Sequence, residues 1–246
     1  DKWLKGDEAY IAKGYKPLLI MNEGYADVSY EETAELVEAQ RQEAIRRRMH
    51  LVELPASLKH ATLAPNQKDS VILTKSRAEI LSLMSDFIGN FHSPTKKGLY
   101  VYGDFGVGKS FLLAALAHDL SEKYSVATTM IHYPSFVVNV KNAIQSGQVK
   151  AEIDTVKKAD ILILDDIGAE QHSPWVRDDV LQVILQHRMQ ENLPTFFTSN
   201  FSLSDLEKRL SQGKAGDESW QAKRVMERIR FLAKEVHLEG ENRRHE

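Results

Sequence analysis

One stretch of the sequence has the residue types and the spacing that bind a nucleotide phosphate. Residues 103–110 read Gly-Asp-Phe-Gly-Val-Gly-Lys-Ser and match the pattern G-x-x-x-x-G-K-[ST] at every fixed position. The glycines let backbone N–H groups converge on phosphate oxygens, Lys109 brings a positive charge to the β and γ phosphates, and Ser110 offers a hydroxyl to Mg²⁺. The residues that we expect to contact ATP are Gly103, Asp104, Phe105, Gly106, Val107, Gly108, Lys109, Ser110 and Phe111.

Two neighbouring carboxylates follow an apolar run later in the chain. Asp165 and Asp166 come directly after residues 161–164, Ile-Leu-Ile-Leu, a run typical of a strand buried on both faces. Ligands of open α/β sheets bind beyond the carboxyl ends of the strands. We therefore expect Asp165 to hold Mg²⁺, directly or through water, and Asp166 to orient or deprotonate the attacking water. The alternative is an acidic turn in which Asp166 caps a helix.

Two further positions could act on the same phosphates. Asn200 follows the predicted strand at 195–198 and could position the water or touch the γ-phosphate; its alternative role is to cap a helix or a turn before Phe201. Arg224 and Arg228 lie four residues apart on one face of a predicted amphipathic helix. Either could reach a phosphate of its own or of a neighbouring subunit. The alternative is a solvated basic face.

Aromatic and polar residues are interleaved at two other places. Phe136 and Lys141 lie in a predicted helix, and Ser173 and Trp175 follow the acidic pair. Aromatic rings can stack on the bases of single-stranded DNA while lysines neutralise its phosphates. The alternative is that Phe136 belongs to the core and Trp175 fastens the following helix.

The order of the predicted elements indicates an α/β fold. Predicted strands alternate with helices, which implies a parallel five-stranded sheet flanked by helices. Only 46 residues follow Asn200, and a short helix, a longer helix and a last strand use them. We expect no helical lid domain, so a neighbouring molecule would have to cover the nucleotide. The predicted strands lie at 99–102, 128–131, 161–164, 195–198 and 235–238, and the predicted helices at 69–91, from 111, 135–147, 176–191 and 220–233.

Composition limits the classes of function. The net charge of −3 gives no global basic field, so a nucleic acid would bind to a local patch. The chain has no cysteine, which excludes disulfides and cysteine-based metal sites. No apolar run approaches the ~18 residues that span a membrane, and we expect a cytoplasmic protein without membrane contact. We predict a small hairpin-like unit at 1–30, a helical linker at 31–60 and an ATPase domain at 61–246.

In combination these motifs resemble one family. The phosphate loop, Ile-Leu-Ile-Leu-Asp-Asp-Ile-Gly-Ala-Glu at 161–170, Thr-Ser-Asn at 198–200 and Arg-Val-Met-Glu-Arg at 224–228 resemble the bacterial replicative helicase loaders of the AAA+ class, the DnaI/DnaC family. The resemblance covers roughly residues 55–240, and residues 14–32 also resemble the N-terminal region of such loaders. It implies a weak, partner-regulated ATPase with ATP and Mg²⁺ as cofactors. Its partners would be the hexameric replicative DNA helicase, bound through the N-terminal region, single-stranded DNA, other primosome proteins and further copies of itself.

The resemblance also implies roles by position. Lys109 and Ser110 match the Walker A residues, Asp165 and Asp166 Walker B, Asn200 sensor 1 and Arg228 the arginine finger, while Phe136, Ser173 and Trp175 fall where loaders touch single-stranded DNA. One departure concerns zinc, because DnaI N-terminal domains hold it with cysteines and this chain has none. We expect no zinc site in the chain as written. The alternatives are an IstB-like transposition helper ATPase and, less favoured because no lid is found, a small-molecule kinase.

Overall fold

A computed structural model gives the fold of the chain as two compact units, residues 1–47 and 48–246. The structure describes residues 13–55, 57–58, 61–63, 74–93, 97–171, 173–213, 216–217 and 219–242. Among these residues, no helix combines the length and the apolar character needed to cross a membrane.

The first unit contains a β-hairpin followed by a helix. β1 (Tyr15–Asn22) pairs antiparallel with β2 (Tyr25–Glu32). Glu23 and Gly24 join them with φ angles of 49° and 89°, the backbone of a tight turn whose twist suits a hairpin. α1 (Ala34–Arg48) then begins after Thr33, whose hydroxyl accepts a hydrogen bond from the backbone of Leu36. A hairpin-like unit followed by a polar helix is the order that the sequence predicted.

The second unit is built on one parallel sheet of six strands in the order β10-β4-β7-β6-β5-β3. The prediction of five strands is wrong by one. The additional strand, β3, lies at the edge of the sheet, where it pairs with β5, and it falls in the predicted linker. Its four residues, Met-His-Leu-Val, follow a charged helix without an apolar run, so they carry no strand signal of their own. The strands are β3 (Met49–Val52), β4 (Gly98–Tyr102), β5 (Thr128–His132), β6 (Ile161–Asp165), β7 (Thr195–Ser199) and β10 (Ala233–His237).

Helices cover both faces of this sheet. One core cluster joins side chains of α4 to α8 to Tyr100, Leu164 and Phe197. Successive strand residues point to opposite faces, and on the other face Phe87 of α2 packs against Phe196, with ring centroids 5.0 Å apart. The helices are α2 (Lys75–Gly89), α3 (Lys109–Tyr124), α4 (Tyr133–Ser146), α5 (Val149–Lys157), α6 (Gln182–Gln190), α7 (Leu203–Leu210) and α8 (Ser219–Leu232).

Four local features differ from the predicted pattern. Helix α2 begins at Lys75 because Thr74 caps it, and residues 69–73 of the predicted helix lie outside the described part of the chain. Helix α5 was not predicted at all. A π-helix (Val176–Leu181) leads into α6, and a short hairpin, β8 (Gln212–Gly213) with β9 (Gly216–Asp217), precedes α8.

The strand order decides where the predicted site lies. β4, β7 and β6 are direct neighbours in the sheet, although 92 residues lie between β4 and β7 along the chain and 29 between β6 and β7. Because all three are parallel, their carboxyl ends meet at one edge of the sheet. The loop at 103–110, Asn200 and the acidic pair Asp165 and Asp166 each follow or end one of these strands, so the fold brings them together.

Candidate nucleotide-binding site

The phosphate loop leads from β4 into α3. Gly108 is the residue before the helix and has a φ of 97°, which favours glycine. Gly108 has no side chain that could cap α3, so a ligand can take the place of a capping side chain at its first backbone N–H groups. A helix N-terminus of this kind, reached through a glycine-rich loop, binds phosphate.

The side chain of Lys109 is hydrogen-bonded to the backbone at the start of the same loop. Its ammonium nitrogen Nζ donates hydrogen bonds to the carbonyl oxygens of Gly103 (2.9 Å) and Asp104 (2.7 Å) and to Oδ1 of Asn200 (2.7 Å). The residue is buried, with 8% of its surface exposed. Three oxygens therefore use the three donors of the ammonium group, and a phosphate oxygen would take the place of one or more of them.

Asp165 lies beside hydroxyl groups at the end of β6. Thr198 Oγ1 donates a hydrogen bond of 2.7 Å to its Oδ1, and the hydroxyl of Ser110 also interacts with the carboxyl group. Burial raises the pKa of Asp165 above its usual value, and the hydroxyls of Ser110 and Thr198 partly oppose that rise. A serine hydroxyl and a buried carboxylate are hard oxygen ligands of the kind that Mg²⁺ prefers, so Ser110 and Asp165 fit the predicted metal site.

Asp166 and Asn200 are hydrogen-bonded to each other beside Lys109. Asp166 has a φ of 61°, unusual for a residue with a side chain. Its Oδ1 accepts a hydrogen bond of 2.9 Å from Nδ2 of Asn200. The amide of Asn200 therefore links Asp166 to Lys109. The residues after Asp166 form a turn and not a helix, so the alternative of a helix cap is wrong.

Two residues of this site were missed by the sequence analysis. Thr198 Oγ1 donates to Asp165 and at the same time accepts a hydrogen bond of 2.8 Å from the backbone N–H of Asp166. Glu170 is buried, its Oε2 accepts a hydrogen bond of 2.8 Å from the N–H of Gly168, and burial raises its pKa. The signal that could have identified Thr198 is a hydroxyl near the end of an apolar strand. For Glu170 it is a further acidic residue shortly after Asp165 and Asp166.

Arg228 lies away from this edge of the sheet. It precedes β10 by five residues, and β10 begins opposite Gly98, the first residue of β4. Arg228 and Lys97 line one cavity at that end. Five-residue strands place about 13 Å between their two ends, so Arg228 is not brought together with Lys109 of its own chain. Its Nε donates a hydrogen bond of 2.8 Å to Gln186, and another of its nitrogens contacts the carbonyl of Arg224.

The four predicted DNA contacts have different surroundings. Phe136 is buried in the core beside Tyr133, with 5% of its surface exposed, so the prediction that it stacks on a base is wrong and the core alternative is correct. Trp175 is partly buried and packs against the same core. Ser173 and Lys141 are half-buried and remain candidates, as does the accessible part of Trp175.

Comparisons with known proteins place this geometry among ATP-binding proteins. Residues 21–246 match a family described as IstB-like ATP binding protein. The replicative helicase loader DnaI of Bacillus subtilis (strain 168) is 39% identical over 240 residues, which cover 96% of this chain and 75% of that protein. The alignment thus includes the hairpin of the first unit as well as the sheet of the second.

Solved structures agree with the fold. A candidate primosome component of Streptococcus pyogenes serotype M3 is 54% identical, with a TM-score of 0.69 over 82% of this chain and 99% of that one. A crystal structure of DnaI is 36% identical, with a TM-score of 0.70 over 78% of this chain and 98% of that one. The DnaC helicase loader, 24% identical with a TM-score of 0.62 over 75% of this chain and 100% of that one, shares the fold.

Proposed function

We propose, because this chain belongs to the family of IstB-like ATP-binding proteins and within it to the DnaI helicase loaders, that it uses ATP to deliver a replicative DNA helicase onto single-stranded DNA. The similarity to DnaI carries the helicase part of the proposal, and the link from Lys109 through Asn200 to Asp166 supports the use of ATP. This link joins the group that would hold the γ-phosphate to the group that would act on the attacking water.

Each residue of the site then has a chemical task. Lys109 would leave the loop carbonyls and neutralise the β and γ phosphates, while Asn200 orients Asp166 toward water. Ser110 and Asp165 would hold Mg²⁺, which supplies a positive charge to the phosphate oxygens. Because burial raises the pKa of Asp165, a cation at this position would favour its ionised form.

Hydrolysis by the isolated chain would be weak. Arg228 lies near the end of the sheet opposite the phosphate loop. This position supports the proposal that its guanidinium acts on the nucleotide of another subunit, as an arginine finger does. Self-assembly, the helicase or single-stranded DNA would then regulate turnover. On this proposal ATP serves as a switch for assembly.

The first unit is the proposed contact for the helicase. Its hairpin exposes large apolar side chains, among them Leu19, Met21 and Tyr25 with 66%, 72% and 79% of their surfaces exposed. Apolar groups concentrated on so small a unit are typical of a protein–protein contact. Other primosome proteins would bind the same assembly, and Lys141, Ser173 and Trp175 would contact single-stranded DNA.

The transposition helper remains the second candidate within this family. The family description alone does not distinguish it from a loader, because its name refers to the IstB-like ATP-binding proteins as a whole. The similarity to DnaI over 96% of the chain, hairpin included, favours the loader.

Co-purification with the replicative helicase of the same organism tests the proposal. The full chain should bind the helicase, and a chain that lacks residues 1–47 should not, while its ATP affinity stays unchanged. Binding of a transposase together with duplex DNA, and no binding of the helicase, would favour the second candidate. A Lys109→Ala chain that hydrolysed ATP normally would overturn the assignment of the nucleotide site.

A further inference from the structure

The chain that follows β10 runs along the phosphate loop. Leu238 donates a backbone hydrogen bond of 2.7 Å to the carbonyl of Tyr102, the residue directly before the loop, and its side chain is fully buried. The four residues after it are exposed. We call residues 238–242 the strap.

The strap occupies the space that two loop glycines leave free. A Cβ added to Gly103 would lie 2.2 Å from the carbonyl oxygen of Leu238, and one added to Gly106 would lie 1.9 Å from Oδ1 of Asn242. Neither distance is possible for a real Cβ. Gly106 also has a φ of 79°, which favours glycine on its own account. The strap therefore contacts the phosphate loop at two positions, Gly103 and Gly106.

The first turn of α2 holds the strap from the other side. Ser76 Oγ accepts a hydrogen bond of 3.1 Å from the backbone N–H of Glu239, and Thr74 Oγ1 donates one of 3.4 Å to the carbonyl of Glu239. The same turn carries Arg77, a buried residue with a guanidinium nitrogen 3.2 Å from the position of a Cβ on Gly108. The turn thus contacts both the strap and the last glycine of the loop.

We propose that the strap positions the phosphate loop for its nucleotide, with Asn242 and Ser76 as the positioning residues. A loop with three glycines has many accessible conformations, and only those in which its N–H groups converge can bind phosphate. Contacts that select these conformations before the ligand arrives reduce the entropy lost on binding. Nucleotide binding and docking of the strap then favour each other, because coupling between two sites is reciprocal.

This inference rests on the proposed nucleotide binding, and titration of the full chain with ATP in the presence of Mg²⁺ tests it. Asn242→Ala and Ser76→Ala should each raise the Kd for ATP about fivefold or more. Turnover at saturating ATP should stay the same, because neither residue is expected to touch the reacting atoms. The matched control is Glu241→Ala, which removes an exposed side chain next to Asn242 and should leave the Kd unchanged.

A double variant, Ser76→Ala with Asn242→Ala, shows whether the two residues act on the Kd for ATP together or independently. If Ser76 and Asn242 act through one strap, the Kd of the double variant should rise by less than the product of the single effects. Thermal unfolding without nucleotide should show that all variants remain folded. The proposed role of the strap would be overturned if the Kd of the double variant rose by the full product of the two single effects, or if no variant changed the Kd. Either result counts against the strap provided that Lys109→Ala loses ATP binding. Normal binding by Lys109→Ala would instead overturn the nucleotide site itself.

Discussion

The hydroxyl of Thr198 lies between the two acidic residues of the site, donating a hydrogen bond of 2.7 Å to Oδ1 of Asp165 and accepting one of 2.8 Å from the backbone N–H of Asp166. Thr198 is buried, with 1% of its surface exposed. One oxygen atom of β7 therefore fixes both the side chain that ends β6 and the backbone that follows it.

Thr198→Val should lower ATP turnover by about 10- to 100-fold, because groups that orient metal ligands have effects of this size. Valine has nearly the same shape but leaves the carboxylate of Asp165 without its donor and the N–H of Asp166 without its acceptor. Steady-state hydrolysis with Mg²⁺ measures the effect. Thr198→Ser keeps the hydroxyl and should retain most of the activity; equal losses in both variants would contradict the role of the hydrogen bonds.

Asp165→Asn should stabilise the protein in the absence of Mg²⁺ and abolish hydrolysis. Burial raises the folded-state pKa of Asp165 above the unfolded value of 3.8. The stability associated with its protonated form is fully present below pH 3.8 and is lost as the pH rises through the folded pKa. Asparagine stays neutral and still accepts the hydrogen bond from Thr198.

Thermal unfolding from pH 4 to pH 8 checks this prediction. The Tm of Asp165→Asn should exceed that of the unchanged chain at pH 8, and the difference should shrink as the pH falls. Asp179→Asn, a change at an exposed carboxylate, serves as the control and should leave Tm the same. A difference in Tm that does not depend on pH would contradict the role of burial.

Arg228→Ala should reduce ATP turnover in the assembled state and leave the Kd for ATP unchanged, because Arg228 lies at the end of the sheet opposite its own loop. Removal of an arginine finger costs about 10³-fold or more in turnover. Arg224→Ala, one helical turn earlier, is the matched control and should have a smaller effect. Mixing Arg228→Ala with Lys109→Ala chains should restore some activity. The Lys109→Ala chain keeps Arg228 and can supply it to the intact phosphate loop of the Arg228→Ala chain. Failure of the mixture to regain activity would contradict action between subunits.

Phe136→Ala should cost about 3–5 kcal/mol of stability, the usual range for removing a buried aromatic ring. The affinity of the remaining folded protein for single-stranded DNA should be unchanged, because the ring is buried beside Tyr133. Denaturant unfolding and fluorescence anisotropy with a labelled oligonucleotide measure the two effects. Weaker DNA binding by fully folded Phe136→Ala would restore the original expectation for this residue.

Trp175→Ala, by contrast, should weaken binding to single-stranded DNA. Its ring packs partly against the core and keeps an accessible part, which can stack on a base at about 1–3 kcal/mol per base. Anisotropy titrations at several salt concentrations separate stacking from charge neutralisation, with Lys141→Ala expected to reduce the salt dependence. An unchanged affinity for Trp175→Ala at every salt concentration would remove this residue from the DNA contact.

The sequence predicted most accurately the elements that carry a strong local pattern. The apolar runs at β4, β6 and β7 were correct to within one residue at each end. Strand β3 and helix α5 were missed, because Met-His-Leu-Val has no apolar run and α5 follows α4 after only two intervening residues. The position of Phe136 could not be decided from its neighbours, since the same aromatic residue suits a core or a surface.

By itself the sequence determined the phosphate loop, the acidic pair and the alternation of strands and helices, because each depends on residues that are consecutive in the chain. Only the tertiary structure decided that Thr198 lies between Asp165 and Asp166, that Asn200 links Lys109 to Asp166, and that the strap rests on Gly106. These contacts depend on the order of β4, β7 and β6 in the sheet and on the path of the chain after β10, which no local pattern encodes.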